Sequence, residues 1–513
     1  MWWILYEILF STIFLFSLAL TIVYYYGKRT YDYWKNRGIP YLKPKYPYFG
    51  NSFETSFSLK NVHIKQLEMY KYFHGKRFGG IFSFTHPVLF VRDPSLIESI
   101  MVKDFTSFYN RGTGVDPELD PLSAHLVNLE DQQWKSLRQK LTPTFSSGKL
   151  KGMHQQLVDC SDALVKYIER FADSAEPIEV REIMAKFSTD VIGSCAFGLN
   201  MNAMNDPDSE FRNIGRKVFQ PSFKGKLRRA IRSNYPKLLK LLKWKALDET
   251  TENFFISTLK STMSYRENNN VTRNDFVQLL MELKKHEDQK QSNAEEHDGI
   301  IIDDKVITAN AFAFFAAGFE TTASTLSYCL YELSLHQDIQ EEAYKHVVSV
   351  LNKHGGEISY DAVNEMSLIN QIFAETLRMH PPVPELRRIA TKDYLVPESK
   401  LVLPKGFSVL IPVYSLHYDS EHFPEPEKFK PERFTKEKNA IKKGTYLPFG
   451  DGPRICIGKR FAKMEMQVAL VKLLLKYKFT LNSKTISPLV YNSSSILMVP
   501  IGGIWIDLHR RCD

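Results

Sequence analysis

Cysteine is scarce in this chain, and the few present form no pattern. Five occur in 513 residues, Cys160, Cys195, Cys329, Cys456 and Cys512, with no C-x-x-C pair. An odd, scattered set excludes a disulfide framework and a zinc knuckle, and it points to a reducing compartment for the body. There is no G-x-G-x-x-G fingerprint, so no nicotinamide or flavin domain is evident. The net charge is +9, yet no basic tail, zinc-finger spacing or helix-turn-helix signature accompanies it. That argues against a nucleic-acid partner and leaves an acidic protein or an anionic membrane surface. No internal repeat is visible, and past residue 26 no second uncharged run is long enough to span a bilayer.

What is present begins with that first run. Residues 8–26, "ILFSTIFLFSLALTIVYYY", carry no charge. With "WWILYE" before them they cover a hydrocarbon core of roughly 30 Å. A cleaved signal would have a basic start, a shorter core and a small-residue cleavage site. Here the basic residues Lys28, Arg29, Lys35 and Arg37 follow the span instead. This predicts an anchor over 1–27 with the body on the cytoplasmic side. The proline-rich stretch that follows predicts an extended hinge over 28–51, with a single large domain over 52–513.

Within that domain, "GGIFSFTHPVLFVRDP" alternates like a hairpin. Helical periodicity dominates from about 130 to 380, including a long apolar helix at about 301–336. The polar stretch 284–299 predicts an exposed loop, and the prolines past 380 predict a meandering segment without long helices. Residues 223–245 are basic and amphipathic, interrupted at Pro236. They read equally as a solvated helix pair or as a membrane-surface contact. The fold class is mainly α with a minor β portion.

The most constrained stretch is "PFGDGPRICIG", 448–458. A metal-ligating cysteine must be a thiolate, and that charge needs backbone N–H groups and cations around it. Gly450, Gly452 and Gly458 let the backbone approach closely. The helix pattern after Gly458 brings its positive end behind Cys456. Phe449 covers the sulfur, and Arg454 reaches for an acidic group above it. A flat metal macrocycle with carboxylate arms fits this set. An ordinary buried cysteine would explain Gly458 alone. In the long helix, Glu320 is the only charged residue between Lys305 and Glu332, which is costly unless hydrated or paired. Gly318 and Thr321 share a face, the glycine leaving room for a ligand. The threonine hydroxyl competes for a carbonyl one turn back and opens the helix locally.

The loop matches F-x-x-G-x-R-x-C-x-G and resembles the haem-thiolate loop of cytochrome P450 monooxygenases. Cysteine-ligated haem in that family is a standard example of its kind. "AGFETT" resembles its oxygen-activating segment. The resemblance implies that Thr321 and Glu320 relay protons during dioxygen activation. "ETLR" and "PERF" resemble its structural triad, here Glu375, Arg378 and Arg433. By the same resemblance Trp134, Arg138, Arg388 and Arg454 meet the haem propionates, with Arg111 a further contact. Phe108, His125, Phe312, Ala316, Val383, Leu386, Ile496 and Leu497 would face the substrate, although a residue like His125 is more often a hydrogen-bonding core residue than a substrate contact. The motifs come in the family's order along the chain, and the expected architecture is the P450 fold behind one transmembrane helix.

"DPLSAHL", "PVYSLHYD" and "FPEPEKFKPERF" resemble the insect family-six members, which are associated with oxidation of plant toxins and insecticides. The resemblance implies haem b, dioxygen and NADPH electrons delivered by NADPH–cytochrome P450 reductase, with cytochrome b5 as a helper. It implies an endoplasmic-reticulum membrane location and lipophilic substrates. Lys135, Lys140 and Lys459 are candidates to meet the reductase's acidic face. An endogenous lipid or hormone substrate is the alternative. A peroxide isomerase or dehydratase, which commonly lacks the threonine, and a non-catalytic ligand carrier are less well matched.

Overall fold

The apolar N-terminal run forms one helix, Trp2–Thr30, of 29 residues. At 1.5 Å per residue it is about 43 Å long, more than a hydrocarbon core requires. Its apolar side chains are exposed, and it is long and apolar enough to cross a membrane. The structure, a computed structural model, describes residues 2–219, 225, 228, 231–232, 235–245, 247–292, 299–435, 441–495 and 497–511.

The stretch expected to be a hinge is docked from Trp34 onward. Trp34 is fully buried in the core beneath the larger sheet, and its indole N–H donates to the Ile81 carbonyl at 3.0 Å. Leu42 N–H donates to Gly80 O at 2.9 Å, and the Asn51 side chain accepts from Phe82 N–H at 2.8 Å. The prolines keep the chain extended, and an extended chain beside a sheet edge satisfies its backbone there.

The expected hairpin is β1 (Phe78–Ser83) against β2 (His86–Val91), antiparallel, with Phe78 opposite Val91. β2 pairs in parallel with β7 (Ser408–Ile411), and β7 pairs antiparallel with β4 (Leu386–Ile389). This sheet, ordered β1-β2-β7-β4, ties the N-terminal hairpin to the last third of the chain. A second sheet joins β3 (Ile178–Glu179), β9 (Trp505–Arg510) and β8 (Tyr477–Leu481). A two-stranded ribbon, β5 (Tyr394–Leu395) with β6 (Val402–Leu403), lies between β4 and β7 in sequence.

Helices make up most of the rest, and the fold is mainly α with a minor β part, as the periodicities predict. The long helix runs Asp304–Leu335, capped by Asp303, whose side chain accepts from Val306 N–H at 2.8 Å. It is buried on nearly all sides. Its exceptions include Ala317, which is exposed, and Thr321, which is half-buried. A small apolar residue open in the middle of a core helix marks a hollow. Val180–Ile192, Ser367–Met379, Glu249–Asn269 and Lys459–Lys476 pack against this helix, and Ser147–Asp173 packs on Lys459–Lys476 and Val180–Ile192.

Two expectations are corrected. Residues 284–292 belong to the helix Phe276–Ser292, because Lys, Glu and Gln are strong helix formers even without an apolar stripe. Residues 293–298 lie outside the described residues. The long helix is continuous through Thr321. The hydroxyl does donate to Ala317 O, at 2.6 Å, but as a second bond to that carbonyl and without breaking the ladder. Of the basic stretch 223–245 only part is described. Pro236 starts a short helix, Pro236–Leu241, as proline does in a first turn. Leu238, Leu241 and Leu242 are exposed beside Lys240, which pairs with Asp116 at 2.8 Å.

Candidate active site

A cavity of about 1350 Å³ opens between the long helix, β4 and the loop before Lys459. Cys456 lines it, with Phe449, Gly450 and Arg454 from the same loop. Cys456 is exposed, and that exposure is to the hollow. The loop is folded by its own backbone: Gly450 N–H donates to Leu447 O at 3.0 Å, Ile455 N–H to Gly452 O at 3.0 Å and Cys456 N–H to Phe449 O at 2.9 Å. Gly452 is forced twice over. Its φ is +67°, and a Cβ there would run into the Met101 carbonyl. Burial pushes the Cys456 thiol up, while the Gly458 N–H and the charges of Arg111, Arg138 and Lys459 pull it down. The sulfur thus sits where a thiolate has donors ready but needs a cation to be its stable form.

Above the sulfur the charges are unbalanced. Arg111, Arg138, Arg388 and Arg454 all line the cavity with Trp134. Trp134 and Arg138 share one helix face, four residues apart as expected, and Arg388 projects from β4. Among the described residues the guanidiniums donate only to backbone. Arg454 reaches Leu129 O at 2.7 Å, Arg138 reaches Ile455 O at 2.9 Å, Arg388 reaches Arg387 O at 2.8 Å and Arg111 reaches Val127 O at 3.2 Å. Arg454 also lies over the Trp134 ring at 4.2 Å. Among the described residues none of the four has a carboxylate within 4.0 Å. Burial, then mutual repulsion, pushes Arg454 down to about 8; Arg388 goes to about 9 and Arg111 to about 10. The Nε atoms of Arg388 and Arg454 are buried without a partner. Arginine does not discharge in proteins, so such values report positive charge awaiting anions.

The other wall is one face of the long helix: Ala313, Phe314, Ala317, Gly318, Thr321 and Thr325. Gly318 has a reason beyond ligand room, since a Cβ there would strike Ile192 of the neighbouring helix. Glu320, one residue from Thr321 and so about 100° around the helix, does not line the cavity. It is buried and paired with Arg181, which resolves the cost of a lone carboxylate in an apolar run.

The expected substrate contacts divide. Val383, Leu386 and Leu497 line the cavity; Ile496 lies outside the described residues. Phe312 and Ala316 do not line it. With Thr321 on the cavity face, they stand about 180° and 140° away at 100° per residue, so the helical period anchored at Thr321 would have selected Ala313, Phe314 and Ala317 instead. Phe312 packs on Phe255 at 5.0 Å. Phe108 is fully buried in the sheet-side core, edge-on to Tyr394 at 4.8 Å. His125 is a core residue, bonded to Asn128 at 3.0 Å and to Val127 N–H at 3.3 Å, and burial pushes it down to about 3. Phe49, from the docked connector, and Phe57, just beyond it, line the cavity as well.

Glu375, Arg378 and Arg433 come together outside the cavity lining. Glu375 and Arg378 are fully buried and bidentate, at 2.7 and 2.8 Å, and Arg433 reaches Glu375 at 3.2 Å.

The comparisons with known proteins now bear on this geometry. The family model for cytochrome P450 matches residues 40–506. The chain belongs to the cytochrome P450 family. Drosophila melanogaster "Probable cytochrome P450 6a14" is 39% identical over 97% of this chain and 99% of its own. Cytochrome P450 6a2 of the same fly is 38% identical over 98% and 100%. Cytochrome P450 6j1 of Blattella germanica is 35% identical over 98% of each. These relatives are insect family-six P450s. Membership makes the protein a haem-dependent monooxygenase that consumes O2, and P450s generally work with a redox partner and a small-molecule substrate. The residues present fit that cofactor. One sulfur on the floor, a ring of uncompensated guanidiniums and two orphaned Nε atoms are what an iron macrocycle with two carboxylates would satisfy.

One buried acid near this P450 site escaped sequence reading. Glu465, two turns along Lys459–Lys476, is fully buried and accepts from the Ser188 hydroxyl at 3.2 Å. Burial raises it from 4.5 to about 8, against hydrogen bonds from Ser188 and Thr322. Between those two values the folded state binds a proton that the unfolded chain has lost, so stability falls as pH rises through that window. Glu465→Gln is expected to melt like the native protein near pH 5 and above it near pH 8.5. Parallel melting-versus-pH curves for the two would contradict the assignment.

Proposed function

We propose that this P450 oxidises lipophilic xenobiotics such as plant toxins or insecticides, with NADPH electrons delivered by NADPH–cytochrome P450 reductase and assisted by cytochrome b5. The observation that carries this reading is the mostly apolar cavity of about 1350 Å³ that ends on Cys456. It exceeds the usual 300–1,000 Å³ of a small-ligand site, leaving room for cofactor and substrate together. Family-six relatives add to it.

Haem held by Cys456, its propionates among Arg111, Arg138, Arg388, Arg454 and Trp134, would supply the activation of O2 that splits its two atoms. The Cys456 thiol gives up its proton on ligation, and the Gly458 N–H and the start of the helix behind it hold the resulting charge. Ala313, Phe314 and Ala317 exclude water from the substrate. The Thr321 hydroxyl, anchored on Ala317 O, keeps its lone pairs toward the cavity and holds a proton donor there. Glu320 takes part only by releasing Arg181, so that pair gates its proton. The N-terminal helix serves as an endoplasmic-reticulum anchor, and the basic residues after it keep the body on the cytoplasmic face. The exposed leucines of 238–242 rest on the same membrane.

The test is turnover of a panel of lipophilic compounds by membrane-bound protein with reductase, NADPH and ¹⁸O₂. One ¹⁸O atom per product molecule is expected. Bound compounds that return no product, or product oxygen drawn only from water, would reject the reading.

We place reductase docking on Lys135 and Lys459 rather than on Lys140. Lys140 is committed, to Glu287 at 2.5 Å and to Ile300 O at 2.8 Å. Lys135 and Lys459 are exposed, and Lys459 acts on the Cys456 charge. Reversing Lys135 to glutamate is expected to slow reductase-driven turnover about tenfold at low salt and to leave peroxide-driven turnover unchanged. Equal losses in both assays would remove the docking role.

A further inference from the structure

His417 lies in "PVYSLHYD", a stretch that the site described above does not use. It ends the short helix Val413–His417 and is fully buried. Its two ring nitrogens face opposite partners. Nδ1 lies 3.0 Å from the Arg378 carbonyl, and Nε2 lies 3.0 Å from the Leu447 N–H. A carbonyl only accepts and a backbone N–H only donates, so the tautomer is forced: the proton sits on Nδ1, and Nε2 is the acceptor. Burial, then the Arg378 charge, pushes the imidazole down to about 3, so it stays neutral. Arg378 answers by donating from Nη1 to the His417 carbonyl at 2.9 Å. The ring stacks on Tyr446 at 5.4 Å, and Tyr446 OH donates to Ala374 O at 2.9 Å, one residue before Glu375.

Leu447 opens the cysteine loop, and its own carbonyl accepts the Gly450 N–H that starts the turn toward Cys456. A continuous path therefore runs from the Glu375–Arg378 pair through one imidazole to the backbone that aims the sulfur.

We propose that His417 is a positioning residue that couples the Glu375–Arg378–Arg433 cluster to the Cys456 loop, working through its Nδ1–H tautomer. The Nδ1 bond ties the ring to the cluster, and the Nε2 bond ties the loop to the ring. The part that sets the sulfur is the bond to Leu447. The inference rests on the reading that Cys456 ligates the haem, but the bond at Leu447 does not.

Three full-length variants separate these. His417→Phe keeps the stacking ring and loses both bonds. In His417→Asn the amide reaches the Nδ1 position, and in His417→Gln it reaches the Nε2 position. Hydrogen exchange resolved at the Leu447 amide is expected to accelerate about tenfold in the Phe and Asn variants and to stay near native in the Gln variant. The thiolate-type band of the reduced carbon monoxide complex is expected to follow the same order, retained in Gln and largely lost in Asn and Phe, at matched melting temperatures for Asn and Gln. A loss of fold would affect Asn and Gln alike, so the split between them is the signature of positioning. Should Phe fail to fold, the Asn–Gln pair still decides. Unchanged Leu447 exchange in every variant, or faster exchange with the thiolate band intact, would overturn the proposal. A native protein without that band would overturn the ligation reading itself.

Discussion

Cys456→Ser is expected to abolish reductase-driven oxygenation while leaving a folded protein. Serine keeps the backbone bonds of the loop, Cys456 N–H to Phe449 O among them, and fits the space. It does not supply a thiolate. A hydroxyl in that place is not ionised near neutral pH, and the Gly458 N–H, Arg111, Arg138 and Lys459 would face a neutral group. Losing the electron donation that favours O–O cleavage should lower turnover by about 10³-fold or more, equivalent to ~4 kcal/mol of barrier. Turnover with reductase, read beside a thermal melt, checks both halves. Activity within tenfold of native would show that the sulfur is dispensable.

The second large effect concerns folding. Glu375 accepts two bonds from Arg378, one from Arg433 and one from the Lys430 N–H at 2.9 Å, all at a fully buried carboxylate. Glu375→Ala leaves the Arg378 guanidinium buried with no counter-charge. Breaking a buried pair on one side costs about 3–5 kcal/mol, a large share of the ~5–15 kcal/mol that holds a domain folded. Little soluble, cofactor-loaded protein is expected. Arg378→Lys should be nearly as damaging, because an ammonium cannot make the bidentate contact or reach His417 O as well. Denaturant midpoints of whatever is recovered give the measurement. A Glu375→Ala midpoint within about 1 kcal/mol of native would mean that the cluster is not what holds this side of the site.

How much of this was legible before the fold depends on the kind of residue. Cys456, Arg454, Phe449 and Gly450 sit within one loop, so local spacing carries their geometry. Trp134 with Arg138, and Glu375 with Arg378, are a helical turn apart and were equally readable. Arg388 and Arg433 could be placed only by resemblance, because the sheet and the meander bring them in from elsewhere. The substrate wall was misread where a single rotation matters: Phe312 and Ala316 belong to the long helix but not to its cavity face. Phe108 and His125 both pack in the core, the role the residues alone already favour for the histidine. An aromatic near a site is well suited to a core, and only packing tells which role it takes. Glu465 and His417 give no signal in one sequence. Their character comes from Ser188, Leu447 and the Arg378 carbonyl, all distant along the chain. The supposed hinge shows the same limit, since Trp34 and Asn51 find their partners on β1.

The central claim is that Cys456 is a thiolate ligand to haem at the floor of this cavity. The most direct measurement is the carbon monoxide difference spectrum of the reduced, membrane-bound protein. A strongly red-shifted Soret band, lost in Cys456→Ser, is the predicted result. A band typical of histidine or protonated-thiol ligation, in protein shown to be folded, would contradict it.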